Sequence, residues 1–448
     1  MSDATLGARG LPVDRLVWLT ERYRTHVVVD FDDDQGNATI GLSDLARALP
    51  GMSPQCIDLI EAAGTVVLGD VAHLRGRNEA WSRDLAFHLP SRGRDAWQEV
   101  GPVLEALLSF VTGDAVRLEF DEGEPTRLWA PARVHRSGAI ADADCVCLLS
   151  GGIDSLAGGA LLIEEGRRPL FVTRDSGNPS TRRAQDLCRA ALDTRFGPQA
   201  YLTVALTVSK RPRPRHPFPS RDRQEPSRRA RSLFPLATAA AACAALDIAP
   251  VFIPENGVLA AQLPLTRARL ATFTTRTTHP KWLHGLAGVF SDVLGHPVEI
   301  RNHLSGMTKA EVLAHLLRIL GESAARATVS CWSIGREPLP CGGCVPCVLR
   351  ALAFAAADLS PEATMDDPLS DPERYRGTDA FRNLVSVFAT ARDFALSDES
   401  RLMLRYPELA YLGDDATQTV ATLRRFAREA WSVCEARFPS SAKLMGLE

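Results

Sequence analysis

No run of apolar residues in this chain is long enough to cross a bilayer, and Met1–Thr5 lack the charged-then-apolar order of a secretory signal. A cytoplasmic protein with no membrane span is therefore expected. An excess of positive charge is missing too: the formal net charge is −3, so any case for nucleic acid has to be local. The cysteines do not make a disulfide pattern. There are ten in 448 residues, and several crowd into Cys331–Cys347. Cys56, Cys188, Cys243 and Cys434 stand singly in helical patterns and read as small buried hydrophobes. Residues 1–140 lack a catalytic constellation, and their His73 and His88 are isolated. What the chain does have is bulk: 45% hydrophobic residues, enough for a large core divided among two or three domains.

The most informative stretch is Cys145–Leu156, CVCLLSGGIDSL. Its apolar run reads as a buried parallel strand, in which Cys145 and Cys147 serve packing, and a helical segment follows from Leu156 to Glu165. Adjacent glycines, Gly151 and Gly152, at a strand-to-helix turn let the backbone approach a bulky anion where a Cβ would block it. The amides of the new helix's first turn, Ile153 among them, then point at that anion, and the helix dipole favours negative charge there. Ser150 and Ser155 add hydroxyl donors. Asp154 is suited to capping the turn or to holding Mg²⁺ against phosphates.

Residues 1–140 read as an α+β accessory domain. Val27–Phe31 and Ala38–Leu42 suggest a hairpin around Asp32–Asn37; helices are expected at Ser43–Leu49, Pro54–Ala63 and Ala96–Phe110, with a strand at Thr65–Leu68. Val116–Phe120 and Thr126–Trp129 suggest a second hairpin. Residues 141–358 alternate strand and helix, which indicates a parallel sheet covered on both faces. Its strands are expected at Pro169–Thr173, Tyr201–Val208, Val251–Pro254 and Val298–Asn302, with helices at Ser180–Leu192, capped by Ser180 or Thr181, and Ser232–Leu246. Ligands in such sheets sit at the carboxyl ends of the strands, which puts Thr173 on the rim with the loop. Lys210–Arg231 is rich in arginine and proline and reads as an extended loop. It is a solvated linker, a lid of cations over phosphates, or a contact for nucleic acid or an acidic partner. Arg231, at the head of the next helix, is the residue expected to reach a nucleotide. Glu255, Asn256 and Gly257 follow a buried strand. A carboxylate there suits the paired N–H donors of a guanine-like ring, or else caps a turn. The hydroxyls of Thr274–Thr278, with Arg276 and His279, are candidates for the same pocket. Thr308 is placed to cap a helix, which leaves Lys309 in the first turn as a phosphate contact or a solvated lysine.

Cys331, Cys341, Cys344 and Cys347 supply four thiols, and the two-residue gaps let neighbouring sulfurs converge on one tetrahedral ion. A closed structural Zn²⁺ site is expected, with an iron–sulfur cluster as the alternative. After it come a helix at Val348–Ala357, a linker at Asp358–Thr378, and amphipathic helices at Asp379–Leu396 and Thr417–Phe438. The helices make residues 359–448 a helical extension that docks on the sheet domain or offers a partner groove.

Two families of motif coincide in this chain. SGGIDS resembles the PP-loop of the ATP pyrophosphatases. That loop, followed by Ser330-Cys331-Trp332 and by CGGCVPCVLR, resembles the 7-cyano-7-deazaguanine synthase (QueC) family, as does Thr308-Lys309-Ala310-Glu311. The resemblance covers roughly residues 141–358. It implies a Rossmann-like α/β PP-loop sheet with a structural zinc knuckle. It also implies ATP and Mg²⁺ as cofactors, Ser150, Gly151, Gly152, Asp154 and Ser155 as the ATP loop, Lys309 as a nucleotide contact, and the four cysteines as zinc ligands. Family members adenylate 7-carboxy-7-deazaguanine, form an amide with ammonia and dehydrate it to a nitrile. This chain departs from them in its extra residues at both ends and in Arg231-Ser232, where they commonly carry Arg-Asn. Glu255-Asn-Gly and Thr-Arg-Thr-Thr-His-Pro look more like the enlarged QueC-like proteins of anti-phage operons of the Qat and type IV CBASS kinds. That likeness implies a protein amine from an operon partner as acceptor. The alternatives are a conventional synthase using ammonia, another PP-loop enzyme such as a tRNA thiolase, and an idle nucleotide-binding scaffold.

Overall fold

The computed structural model describes residues 3–7, 23, 25–31, 35–76, 82–92, 94–122, 138–209, 214–263, 276–335, 339–413 and 415–444. Among them, no helix is long and apolar enough to cross a membrane.

The chain begins with β1 (Asp3–Gly7), β2 (Thr25–Val29) and β3 (Ala38–Ile40), then α1 (Leu42–Ala48) and α2 (Pro54–Ala72). β4 (Asp84–Ser91), α3 (Arg94–Thr112) and β5 (Ala115–Glu122) follow. Four of these strands form a parallel sheet in the order β2-β1-β4-β5. The two expected hairpins are thereby corrected. β2 and β3 are not partners; β3 crosses to the second sheet and pairs antiparallel with Leu206–Val208. β5 pairs parallel with β4, and Thr126–Trp129 lies outside the described residues. Thr65–Leu68 is not a strand either. It lies inside α2, which is buried from Cys56 to Ala72 on every side. A short β-branched run inside a helix with no polar face carries the same local signal as a buried strand.

The second sheet holds the site. β6 (Cys145–Leu148), α4 (Ile153–Glu164), β7 (Pro169–Asp175), α5 (Pro179–Phe196) and β8 (Ala200–Val208) run in alternation. They are followed by α6 (Leu233–Leu246), β9 (Pro250–Phe252), α7 (Pro280–Leu294) and β10 (Glu299–Arg301). The strand order is β10-β9-β6-β7-β8-β3, parallel except for β3. The chain leaves β6 toward β7 on one side and returns to β9 on the other. The switch in strand order therefore lies between β6 and β9, where ligands of open α/β sheets bind. α5 is capped by Asn178, whose side chain accepts the N–H groups of Ser180 and Thr181, and not by Ser180 or Thr181 themselves. Pro179 takes the first helical position, where its missing N–H costs nothing.

One core joins the two sheets. The alanine-rich α6 is buried from Leu233 to Cys243 except at Pro235, and its small side chains let α2 lie close, with the Cys56 thiol 3.8 Å from the Ala241 carbonyl. α3 packs on α7 so tightly that a Cβ at Gly285 would meet Leu107 at 2.5 Å. The change of pattern near residue 140 thus marks a change of topology without a gap in packing. α4, α5 and α8 (Lys309–Ala327) cover the other face of the second sheet.

α9 (Val345–Ala356), α10 (Asp379–Leu396), α11 (Glu399–Arg405), α12 (Asp415–Arg437) and α13 (Pro439–Leu444) complete the chain. Their apolar faces share a core with Val258, Ala261 and Leu263, so the helical extension docks on the site domain. The segment expected as a linker is folded down: the Met365 and Asp366 amides donate to the carbonyls of Pro340 and Cys341 at 2.9 and 3.1 Å.

Candidate functional site

The turn after β6 is shaped from inside. The Ser150 amide and hydroxyl both reach Ser155 Oγ, at 3.1 and 3.0 Å, and that hydroxyl donates to the Gly152 carbonyl at 3.0 Å. Gly151 takes φ +90°, and a Cβ there would stand 3.1 Å from the backbone nitrogen of Gln185. Gly152 occupies the N-cap of α4 and has no side chain to cap with. Among the described residues, nothing accepts the N–H groups of Gly151, Ile153 or Asp154, so these donors remain for an anion. The Gly151→Ala variant combines a left-handed backbone with a crowded Cβ. It is expected to lose about 1–3 kcal/mol of stability and to weaken binding of an anion such as pyrophosphate at least about tenfold, as read by calorimetric titration.

Asp154 and Lys309 meet beside this turn. Both are buried, and Lys309 Nζ donates to Asp154 Oδ2 at 2.8 Å. The Asn256 side-chain amide donates to the same oxygen at 3.0 Å, while its carbonyl oxygen accepts the Leu259 N–H at 3.2 Å. Asn256 therefore caps the short helical turn after β9 and orients Asp154. The other oxygen, Oδ1, is buried with no hydrogen-bond partner among the described residues. A buried carboxylate oxygen of that kind is what a hard cation takes, so the residues fit Mg²⁺ at Asp154. Lys309 owes its position to a capping box: Thr308 Oγ1 accepts the Glu311 N–H at 3.2 Å, and Glu311 Oε2 accepts the Thr308 N–H at 2.8 Å. α12 braces that box from outside, with Arg425 paired to Glu311 at 2.9 Å and Thr308 Oγ1 donating to Glu429 at 3.0 Å.

Glu255 stands at the end of β9, on the opposite lip of the crevice. Asn302 fixes its main chain, accepting the Glu255 N–H at 3.0 Å and donating to its carbonyl at 2.8 Å. Thr278 Oγ1 approaches its carboxylate at 3.4 Å. Burial, and next the Asp154 charge, push the Glu255 carboxyl up to about 7, against the pull of Lys309 and Arg231. Because its folded-state pKa lies above the ordinary value, the contribution of Glu255 to stability is fully present below about 4.5 and falls away as pH rises to about 7. Ionisation of the carboxylate runs the other way: a ligand whose N–H groups donate to it should bind more tightly as pH rises through about 7, and Glu255→Gln should remove that inflection in a profile of affinity against pH.

Arg231 reaches this crevice from the head of α6. Burial lowers its pKa, and the nearby Glu255 charge raises it in part. Three expected contacts are corrected. Thr173 is almost fully buried and turns its hydroxyl to the Leu149 carbonyl at 3.2 Å, so it shapes the strand end and does not face a ligand. Arg276 donates to the Phe110 carbonyl at 2.9 Å and stacks over that ring at 4.3 Å. His279 caps α7 through Nδ1, which accepts the Lys281 N–H at 3.1 Å, and meets Phe110 edge-on. Burial pushes the His279 imidazole down to about 3. Both residues fasten α3 to α7. Gln185, Asn302 and Thr278 were not singled out individually by the sequence, since their roles depend on partners far away in the chain.

The sulfurs of Cys331, Cys341, Cys344 and Cys347 all lie within 4.8 Å of one another. Four thiols at that spacing, with the Cys341 and Cys344 amides directed at the sulfurs of Cys331 and Cys341 at 3.4 Å, fit a closed zinc site. Gly342, at φ +76°, is obligatory there, since a Cβ would fall 1.8 Å from the Asp366 carbonyl oxygen. The knuckle also touches the loop: Val329 N–H donates to the Gly151 carbonyl at 2.9 Å. A cavity of about 480 Å³ opens beside the cysteines and one of about 210 Å³ lies behind Gly257. Neither is lined by Ser150–Ser155.

A strand–turn–helix with free amides at the switch point of a parallel sheet, with a four-cysteine cluster beside it that could hold zinc, makes this a mixed α/β protein with a candidate metal site. The family model described as queuosine biosynthesis protein QueC matches residues 279–358, the stretch that carries Lys309 and the four cysteines. Over that stretch the chain is similar to QueC proteins, and the match supports an ATP-utilising PP-loop enzyme of deazaguanine-related chemistry with a small-molecule substrate. No curated protein and no solved structure gave a match.

Proposed function

We propose that this protein is an ATP-dependent synthetase. It adenylates a 7-deazaguanine carboxylate, 7-carboxy-7-deazaguanine, and passes the acyl group to an amine, releasing AMP and pyrophosphate. The observation that carries this reading is the coincidence, at one switch point, of unoccupied loop amides with the Asp154–Lys309 pair. A carboxylate is a poor electrophile until its oxygen becomes a good leaving group. The Gly151, Ile153 and Asp154 amides bind the phosphates, and Lys309 and Arg231 offset their charge as pyrophosphate departs. Asp154 would hold Mg²⁺, which when bound neutralises phosphate charge and orients the chain of phosphates. Glu255, across the crevice, accepts the ring donors of the substrate. The zinc site, closed by four thiols, is structural.

The acceptor we favour is a protein amine supplied by an operon partner in an anti-phage system, because the chain carries Glu255-Asn-Gly together with large additions at both ends. The test is incubation with ATP, Mg²⁺ and 7-carboxy-7-deazaguanine, with ammonia or with the candidate partner. Mass spectrometry then follows AMP, the amide or nitrile, and a mass increase on the partner. AMP and a modified partner are expected. AMP absent with every deazaguanine carboxylate would end the substrate assignment, and a nitrile formed from ammonia would return the chain to conventional synthase chemistry.

A further inference from the structure

Through Val420, Leu423, Phe426, Ala427 and Ala430, α12 joins the core that it shares with α9 and α10. The polar face of such a helix ordinarily meets water. In α12, Gln418, Thr422, Arg425 and Glu429 recur at spacings of four, three and four, so they form one stripe along the helix. That stripe is turned to the candidate site.

Arg425 holds two points of the segment leading into α8. Its Nε donates to Glu311 at 2.9 Å, and its fork also reaches the Gly306 carbonyl. Glu429 accepts the Thr308 hydroxyl at 3.0 Å, which leaves the lone pairs of that hydroxyl to the Glu311 N–H. Gln418 lies over Gly306, where a Cβ would fall 2.2 Å from its side-chain nitrogen. Thr422 is buried against Gly257: a Cβ there would meet the threonine methyl at 2.9 Å and the Ser305 carbonyl oxygen at 2.1 Å. The Gly257 N–H in turn donates to the Met307 carbonyl at 2.7 Å.

These contacts converge on one oxygen. Gly257 follows Asn256 and Thr308 precedes Lys309, and those two side chains, Asn256 and Lys309, donate to Asp154 Oδ2 at 3.0 and 2.8 Å. Stability alone is a weak reason for the Arg425–Glu311 pair, because each side chain is 35% exposed and ion pairs of that kind contribute little. A planar fork that ties a carboxylate and a main-chain carbonyl together fixes position instead.

We propose that Arg425 and Glu429, with Thr422 beside them, are positioning residues for the cluster of Asp154, Lys309 and Asn256, and that the helical extension is thereby a working part of the site. The inference rests on reading that cluster as the group that handles phosphates. Loss of the stripe leaves α8 in place but frees its first turn, and Lys309 with it.

The chain has four lysines, Lys210, Lys281, Lys309 and Lys443, so acylation by acetic anhydride can be read site by site by mass spectrometry. The full zinc-loaded chain is labelled in this way and, in parallel, titrated calorimetrically with magnesium pyrophosphate. Lys309, buried and paired, should react more slowly in the wild type than the exposed Lys281 and Lys443. Arg425→Met and Glu429→Ala should each raise its acylation about tenfold, leave Lys281 and Lys443 unchanged, and weaken pyrophosphate binding about tenfold. Glu429→Gln keeps an oxygen that can accept the Thr308 hydroxyl and should recover most of the protection. Arg424→Ala removes a bond from the same helix to the Ser397 carbonyl, away from the stripe, and should leave Lys309 as protected as before. Lys309 still protected in both Arg425→Met and Glu429→Ala would overturn the positioning role. Equal exposure of Lys309 in Arg424→Ala would overturn it too, since that marks a general loosening of the extension. Lys309 freed with pyrophosphate affinity intact would uphold the positioning role and end the phosphate reading of the cluster.

Discussion

Asp154→Asn should reduce AMP formation at least about 10²-fold and lower stability by about 3–5 kcal/mol, with the zinc content unchanged. The two losses have different origins. Activity goes because the side chain that orders Lys309 and offers a bare oxygen toward the phosphates becomes a neutral amide. Stability goes because Lys309 is buried and its ammonium is left without a counter-charge, while its neighbour Asn256 supplies another donor in place of an acceptor. Breaking one half of a buried pair costs more than the pair itself is worth, since desolvation of the survivor is no longer offset. The double variant Asp154→Asn, Lys309→Met separates the effects. Removing both charges should recover most of the stability in a denaturant titration, and turnover should stay lost. Recovery of AMP formation in the double variant would mean that the pair is architectural and that the chemistry lies elsewhere.

That pair also shows what a linear reading can and cannot reach. Asp154 and Lys309 were each singled out, the first from a contiguous Gly-Gly-Ile-Asp string, the second from Thr308 placed as the cap of the helix that Lys309 opens. Both signals are local because turns and caps are closed by neighbours along the chain. Their meeting across 155 positions, and the Asn256 amide that joins them, belong to tertiary structure. The same distinction explains the failures. Arg276 and His279 have the residue types of a polar pocket, yet Phe110, a ring 166 positions before Arg276, claims both. Val27–Val29 was recognised as a strand, but its partner is β1 and not the nearby Ala38–Ile40, which pairs with β8 in the other sheet. Propensity names the element; the partner is chosen by packing that propensity does not contain. In the second sheet, alternation of strand and helix leaves few topologies open; the strands expected there recur as β7 to β10, while the order β10-β9-β6-β7-β8 and the antiparallel β3 at its edge were not legible.

Loss of the metal is expected to have the second large effect. Treatment with a strong chelator, or Cys344→Ser, should remove one equivalent of zinc by metal analysis and lower Tm by on the order of ten degrees or more. Structural zinc binding is worth about 10–16 kcal/mol in small peptides, and even a part of it exceeds the margin of an ordinary domain. The damage should spread in a particular direction. Gly342 and Gly343 press against the Asp366 carbonyl and Ala380, Asn383 donates to the Gly343 carbonyl at 3.0 Å, and Arg350 just beyond the knuckle is paired with Glu362 and hydrogen-bonded to Thr328 at 2.7 Å. Residues 358–383 therefore lie on the knuckle and should become protease-sensitive first. Val329, tied to the Gly151 carbonyl, carries the disturbance to the loop, so nucleotide affinity should fall in the zinc-free protein. The dependence is one-sided: disabling Asp154 leaves the thiols in place, whereas releasing the ion loosens a hydrogen bond that shapes the turn. A chelated protein that melts at the original temperature and still binds ATP would show the four cysteines to be incidental to both the fold and the site.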